Sequence, residues 1–210
     1  MGNIIHVFEF IAALLATYHY KKYNKSTEKY FMHFLWFVFI IDFGIGGYIG
    51  KVLKTENSWV YNIYFLISFL FYFNWYYKII QKKKFKQIVF FLAILFVFID
   101  VYSFIFEDNK EYHIKAFVFG AIINLIATLL YFSELLSSKI MIHIKYKLSF
   151  WIATALLLFN VGIIPFMIYT EEITMSNQNL YQIILISFNL ILYTCYSIGF
   201  IWSKKEYNQE

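Results

Sequence analysis

Three acidic residues, Glu9, Asp42 and Asp100, interrupt long apolar stretches of this 210-residue chain. If those stretches lie in lipid, an ionised carboxylate at their centre costs about 3 kcal/mol or more, so each acid must be neutral, paired or hydrated. His6 precedes Glu9 by three residues. On a helix the two share a face, and imidazole and carboxylate would shift each other's pKa. Asn124, Asn160 and Asn189 sit in further apolar stretches. A single polar pocket between helices would satisfy all seven residues together. A plainer reading stands beside this one, in which buried Asn and Asp act as hydrogen-bond glue between helices, at about 0.5 to 2 kcal/mol each. The asparagines suit glue better, while acids inside a span are functional candidates by default. Asp100 lies closer to a helix end, and contact with water there is as open to it as a place in the pocket.

The elements that must position these residues are read from the apolar runs. Residues 3–20, 31–51, 59–78, 86–106, 113–136, 147–169 and 180–202 each form a run bounded by charged or polar connectors. About 20 apolar residues span the hydrocarbon core as a helix, and in lipid the backbone must hydrogen-bond internally. The expected fold is therefore all-α, a polytopic bundle of seven transmembrane helices with no separate soluble domain. The first run lacks a basic flank before it and a small-residue cleavage pattern after it, so it is expected to be retained as a helix. Pro165 offers one kink.

Orientation follows from lysine placement. Lys21, Lys22, Lys25, Lys29, Lys78, Lys82, Lys83, Lys84, Lys86, Lys139, Lys145, Lys147, Lys204 and Lys205 fall on one side of the threaded chain. Only Lys51, Lys54, Lys110 and Lys115 fall on the other, together with Glu56, Glu107, Asp108, Glu111, Glu171 and Glu172. The positive-inside rule then puts the carboxy terminus in the cytoplasm and the amino terminus outside. The three buried acids come to lie in the outer half or near the midplane. Glu134, Asn74 and His143 lie toward the cytoplasmic face. Tyr18, Tyr20, Tyr23, Trp59, Tyr61, Trp75, Tyr76, Tyr77, Trp151, Tyr169 and Trp202 gather near helix ends, as interfacial belts do.

Composition agrees with a lipid solvent: 61% hydrophobic, 24% aromatic and only 15% charged. The net charge is +5, and every arginine-or-lysine position is a lysine. Clusters between apolar runs, with no arginine, suit an anionic membrane surface and not nucleic acid. The single cysteine, Cys195, excludes an intrachain disulfide and a multi-thiolate metal site. Richness in Phe, Ile, Tyr, Asn and Lys matches A/T-rich bacterial codons. Gly44, Gly46, Gly47 and Gly50 follow Asp42, and Gly46 with Gly50 makes a small-xxx-small pair that lets a neighbouring backbone approach. That neighbour is either this chain or a second copy, leaving a homo-oligomer open.

Several activities lack their residues. The seventh run holds no lysine for a retinal Schiff base and no histidine pair of the kind found in seven-helix ceramidase-like hydrolases. One cysteine cannot form the disulfide usual in receptors coupled to G proteins. Phe43-Gly44 follows Asp42, unlike the surroundings of intramembrane aspartyl protease acids. His6, His19, His33, His113 and His143 are scattered in depth, so no metal, no cofactor and no enzymatic chemistry are expected.

Four stretches carry a family likeness: Glu9-Phe-Ile-Ala-Ala-Leu-Leu-Ala-Thr-Tyr18, Tyr61-Asn-Ile-Tyr-Phe-Leu-Ile67, Phe150-Trp-Ile-Ala-Thr-Ala-Leu-Leu-Leu-Phe159 with Ile164-Pro165-Phe166, and Ile198-Gly-Phe-Ile-Trp202. With these the chain resembles, over nearly its full length, an uncharacterised group of seven-helix inner-membrane proteins from Bacteroidota, many encoded near sensor histidine kinases. The resemblance implies a bacterial inner-membrane address and a signalling context, and brings no catalytic motif. The leading expectation is a sensory or receptor-like module with an outward polar pocket around His6, Glu9 and Asp42, passing its signal to a partner such as a sensor kinase. A proton- or cation-coupled small transporter or channel and a structural or assembly subunit are the alternatives.

Overall fold

A computed structural model describes residues 2–50, 56–137 and 139–208. Each apolar run is a helix: α1 (Gly2–Tyr18), α2 (Lys29–Phe39), α3 (Ser58–Ile79), α4 (Lys83–Phe106), α5 (Ile114–Leu136), α6 (Leu148–Ile168) and α8 (Gln178–Trp202). Two features depart from the sequence reading. The run expected to be one helix over 31–51 is helical to Gly50, the last described residue there, but its α geometry after Phe39 gives way to a π-helical stretch over Ile40–Gly46. The connector holding Glu171 and Glu172 is itself a short helix, α7 (Thr170–Ser176). It stops at Asn177, whose side chain accepts from Asn179 N and Leu180 N and so caps α8. Lys51 and Lys54, counted above on the lysine-poor side, lie outside the described residues, as does the Lys139 side chain.

Five helical segments are long and apolar enough to cross a bilayer: Lys29–Gly46, α4, α5, α6 and α8. This is the make-up of a multi-pass helical membrane protein. The outward surface is apolar where a soluble protein would be polar. On α4, Phe91, Phe98 and Ile105 are 67% to 69% exposed, while Asp100 and Ser103 face inward. An apolar outer face of this kind suits lipid. α3, with 22 residues, falls outside the five because Tyr61, Asn62, Tyr72 and Tyr76 dilute its apolar character. Those groups bond inside the bundle instead.

Successive long helices run up and down. α8 packs on α1 and α6, α5 on α3, α4 and α6, and α2 on α1. Contacts between chain ends fix the alternation. Lys22, just after α1, donates through Nζ to Phe200 O and Ile201 O at the end of α8, so α1 and α8 point the same way. Cation and exposed carbonyls there are matched by the helix dipole. Glu134, near the end of α5, accepts from Gln81 N and Lys82 N at 2.7 and 3.0 Å, at the start of α4. Asn208 Oδ1 accepts from Leu148 N at the start of α6. These contacts gather Lys21, Lys22, Lys82, Lys147 and Lys204 at one end of the bundle. There, burial holds the His19 imidazole below its usual range, with Lys22 adding to the effect. Burial likewise lowers the Lys22 ammonium and raises the Tyr23 phenol.

The aromatic belt is only partly interfacial. Tyr18, Trp59, Tyr77, Tyr169 and Trp202 are exposed as expected, but Tyr23, Trp75 and Tyr76 are buried. Tyr76 Oη pairs with Thr128 Oγ1 at 2.6 Å, and Tyr23 Oη donates to Ala16 O. A phenol with an internal partner can enter the core, which proximity to a helix end does not reveal.

Candidate functional site

Four helices converge on the acids of α1 and α2. His6 and Glu9, one helical turn apart on α1, bring Nδ1 and Oε2 to 3.4 Å. From the π-helical turn after α2, Asp42 brings Oδ2 to 3.4 Å from the same His6 Nδ1. One imidazole nitrogen therefore faces two carboxylates from two helices. The other oxygen of each acid is held by a phenol: Tyr193 of α8 donates to Glu9 Oε1 at 3.1 Å, and Tyr61 of α3 donates to Asp42 Oδ1 at 2.6 Å. Glu9 is buried, whereas His6 and Asp42 keep partial access to the exterior. The Phe43 ring lies edge-on to His6 at 5.5 Å.

The local backbone explains how Asp42 arrives there. In the turn, Gly47 N bonds to Asp42 O, five residues back. The wider ring re-aims side chains relative to an α-helix, and such turns recur at functional sites. Gly46 is the enabling small residue: a Cβ on it would stand 2.7 Å from Tyr61 Oη. Without that side chain Tyr61 crosses close to the turn and reaches Asp42. Asn57 Nδ2 donates to Gly46 O, and a Cβ on Gly50 would stand 3.0 Å from Asn57 Nδ2. Both glycines of the small-xxx-small pair thus face residues of this same chain at the start of α3.

The other four sequence candidates do not join this cluster. Among the described residues, none of Asp100, Asn124, Asn160 and Asn189 hydrogen-bonds to His6, Glu9 or Asp42. Of the seven residues expected around one pocket, direct contacts bring three together. Asn160 and Asn189 donate instead to Leu156 O and Leu185 O of their own helices, four residues back. A side chain that satisfies itself on its own helix has no need of a shared pocket. Asp100, placed by the sequence either in the pocket or against water near a helix end, is 3% exposed and its Oδ2 has no partner. Asn124 Oδ1 is likewise buried and unpartnered, although its backbone carbonyl accepts from Thr128.

Sequence reasoning missed the phenols. Below Tyr193 they continue toward the lysine-rich end: Tyr72 Oη pairs with Tyr196 Oη at 3.2 Å, Tyr76 with Thr128, and Tyr131 donates to Ser149 Oγ at 3.0 Å. The available signal was helical spacing, because Tyr72 with Tyr76 and Tyr193 with Tyr196 each repeat on one face. It also expected no metal site, yet His6, Glu9 and Asp42 bring one nitrogen and two oxygens within 4.8 Å of one another. Comparison with protein families, with curated proteins and with solved structures finds no match to this chain.

Proposed function

We propose that this chain is a non-enzymatic sensory module of a bacterial inner membrane, crossing it seven times with the amino terminus outside. In this reading α1 and α3 cross beside the five more apolar spans, and the lysine-rich end faces the cytoplasm under the positive-inside rule. The site then sits in the outer half of the bundle. The observation that carries the proposal is the meeting of His6 with Glu9 and Asp42 from two helices, each acid tethered by a phenol from a third or fourth. A ligand that changes this meeting has differential contacts with two arrangements of α1 and α2, the requirement for shifting a conformational population. In this reading the signal passes by helix shifts to a partner protein, for which a membrane sensor kinase is the proposed class.

A second reading, a proton- or cation-coupled carrier or channel, is favoured by one feature: the row of phenols running from Tyr193 toward the lysine-rich end. The two are separated by reconstitution. Purified protein in liposomes carrying pH- and cation-sensitive dyes is expected to leave the bilayer silent. Hydrogen exchange in the 20–29 and 80–84 connectors is expected to differ between wild type and Glu9→Gln or Asp42→Asn. Flux that disappears in those variants would replace the sensory reading with transport. Variants that only melt earlier, with unchanged connector exchange, would reduce the chain to a structural subunit.

A further inference from the structure

We infer that His6, Glu9 and Asp42 form a binding site for one divalent first-row transition ion, ligated by His6 Nδ1, Glu9 Oε2 and Asp42 Oδ2. The inference rests on the receptor reading only in calling that ion the stimulus; the site itself stands on its geometry. The first support is distance. Both nitrogen–oxygen separations are 3.4 Å, long for a charge-assisted hydrogen bond, which favours about 2.7–2.9 Å. Ligands placed tetrahedrally at bond lengths of about 2.0–2.1 Å stand about 3.3 Å apart. The imidazole and each carboxylate already have that spacing, and all three donor atoms lie within 4.8 Å of one another.

The second support is the shell around the donors. Tyr193 and Tyr61 each hold the oxygen that does not face His6, leaving Oε2 and Oδ2 turned to the common centre. Ligating carboxylates are commonly oriented by such outer hydrogen bonds. The third is charge. Both acids must be carboxylates to ligate a metal, and His6 could offset only one of those two charges. Among the described residues, no lysine forms an ion pair with Glu9 or Asp42. A divalent ion balances both acids and leaves the imidazole neutral, as ligation requires. Partial exposure of Asp42 leaves room for water to complete the coordination.

Donor chemistry narrows the ion. One imidazole with two carboxylates is softer than the all-oxygen surroundings of Mg2+ and Ca2+ and lacks the thiolates that select Cu(I). Zn2+ and Mn2+ are therefore the probes. Tag-free, full-length protein in detergent is dialysed against Zn2+ or Mn2+ with Mg2+ in excess, and bound metal is counted by mass spectrometry. One ion per chain is expected, with His6→Ala, Glu9→Gln and Asp42→Asn each weakening binding at least 10-fold. Tyr61→Phe and Tyr193→Phe should weaken it about 10-fold, the effect usual for an outer-shell partner. In wild type, pulsed electron paramagnetic resonance of bound Mn2+ should show one imidazole nitrogen, a readout that needs no variant to fold.

No saturable binding of either ion, binding without a nitrogen signal, or binding unchanged in the three ligand variants overturns the metal site. If metal fails to bind while connector exchange still responds to Glu9→Gln, the receptor reading survives without it. If metal binds as described and the connectors do not respond, the metal site stands and the receptor reading falls.

Discussion

Glu9 of α1 and Asp100 of α4 are equally buried acids, and their surroundings treat them differently. At the α1–α2 site every acidic oxygen faces a partner, with α1, α2, α3 and α8 all contributing a group. On the opposite flank, Asp100 of α4 and Asn124 of α5 each leave an oxygen buried without a partner, and both ring nitrogens of His113 do the same. The comparison teaches that depth in the membrane does not distinguish a site from a burden. Reciprocal partners from separate helices do, because each fixes the direction of the next, whereas an orphaned polar atom carries its desolvation cost with no directional return.

The sharpest way to break that contrast is Glu9→Ala. It leaves His6 and Tyr193 facing a void and should lower unfolding stability in detergent by about 3 kcal/mol, the usual loss on removing one member of a buried pair; a loss no larger than that of an exposed substitution would erase the distinction. Tyr61→Phe removes one hydrogen bond to a carboxylate and is expected to cost about 1.5–2 kcal/mol by the same melting assay. Asp100→Leu should go the other way, raising stability by about 1 kcal/mol, since it deletes an unpartnered buried oxygen; destabilisation comparable to Glu9→Ala would mean Asp100 has a partner of equal importance. Asn189→Leu completes the series with a change of about 0.5 kcal/mol or less, because its amide serves only its own helix.

Much of this arrangement is legible in the sequence. Apolar runs bounded by lysines give the long helices to within three residues at most ends, because water and lipid sort those residues strongly. His6 with Glu9 follows from a three-residue spacing, and Asp42 from its depth in the neighbouring run. The π-helical turn does not follow, since it depends on how Tyr61 and Asn57 meet Gly46 and Gly50 across helices. Nor do Tyr193 and Tyr61 as tethers: a tyrosine suits an interface, a core or a hydrogen bond equally, and only the packed neighbour decides. Asp100 shows the same limit: its closeness to a helix end leaves contact with water open, and only the packing of α4 excludes it.

α4 and α3 also differ in how they would enter a bilayer during synthesis. The mean hydropathy of the α4 window is 2.7, the highest of the five. α3, with its inward phenols and Asn62, falls below that class. On the seven-crossing reading, a nascent chain ending just past α3 would leave that helix poorly retained in lipid. Synthesis through α4 supplies a strongly greasy neighbour that packs directly on it, so the two would be integrated as one hairpin. The lysines between them would stay on the side from which the ribosome delivers them.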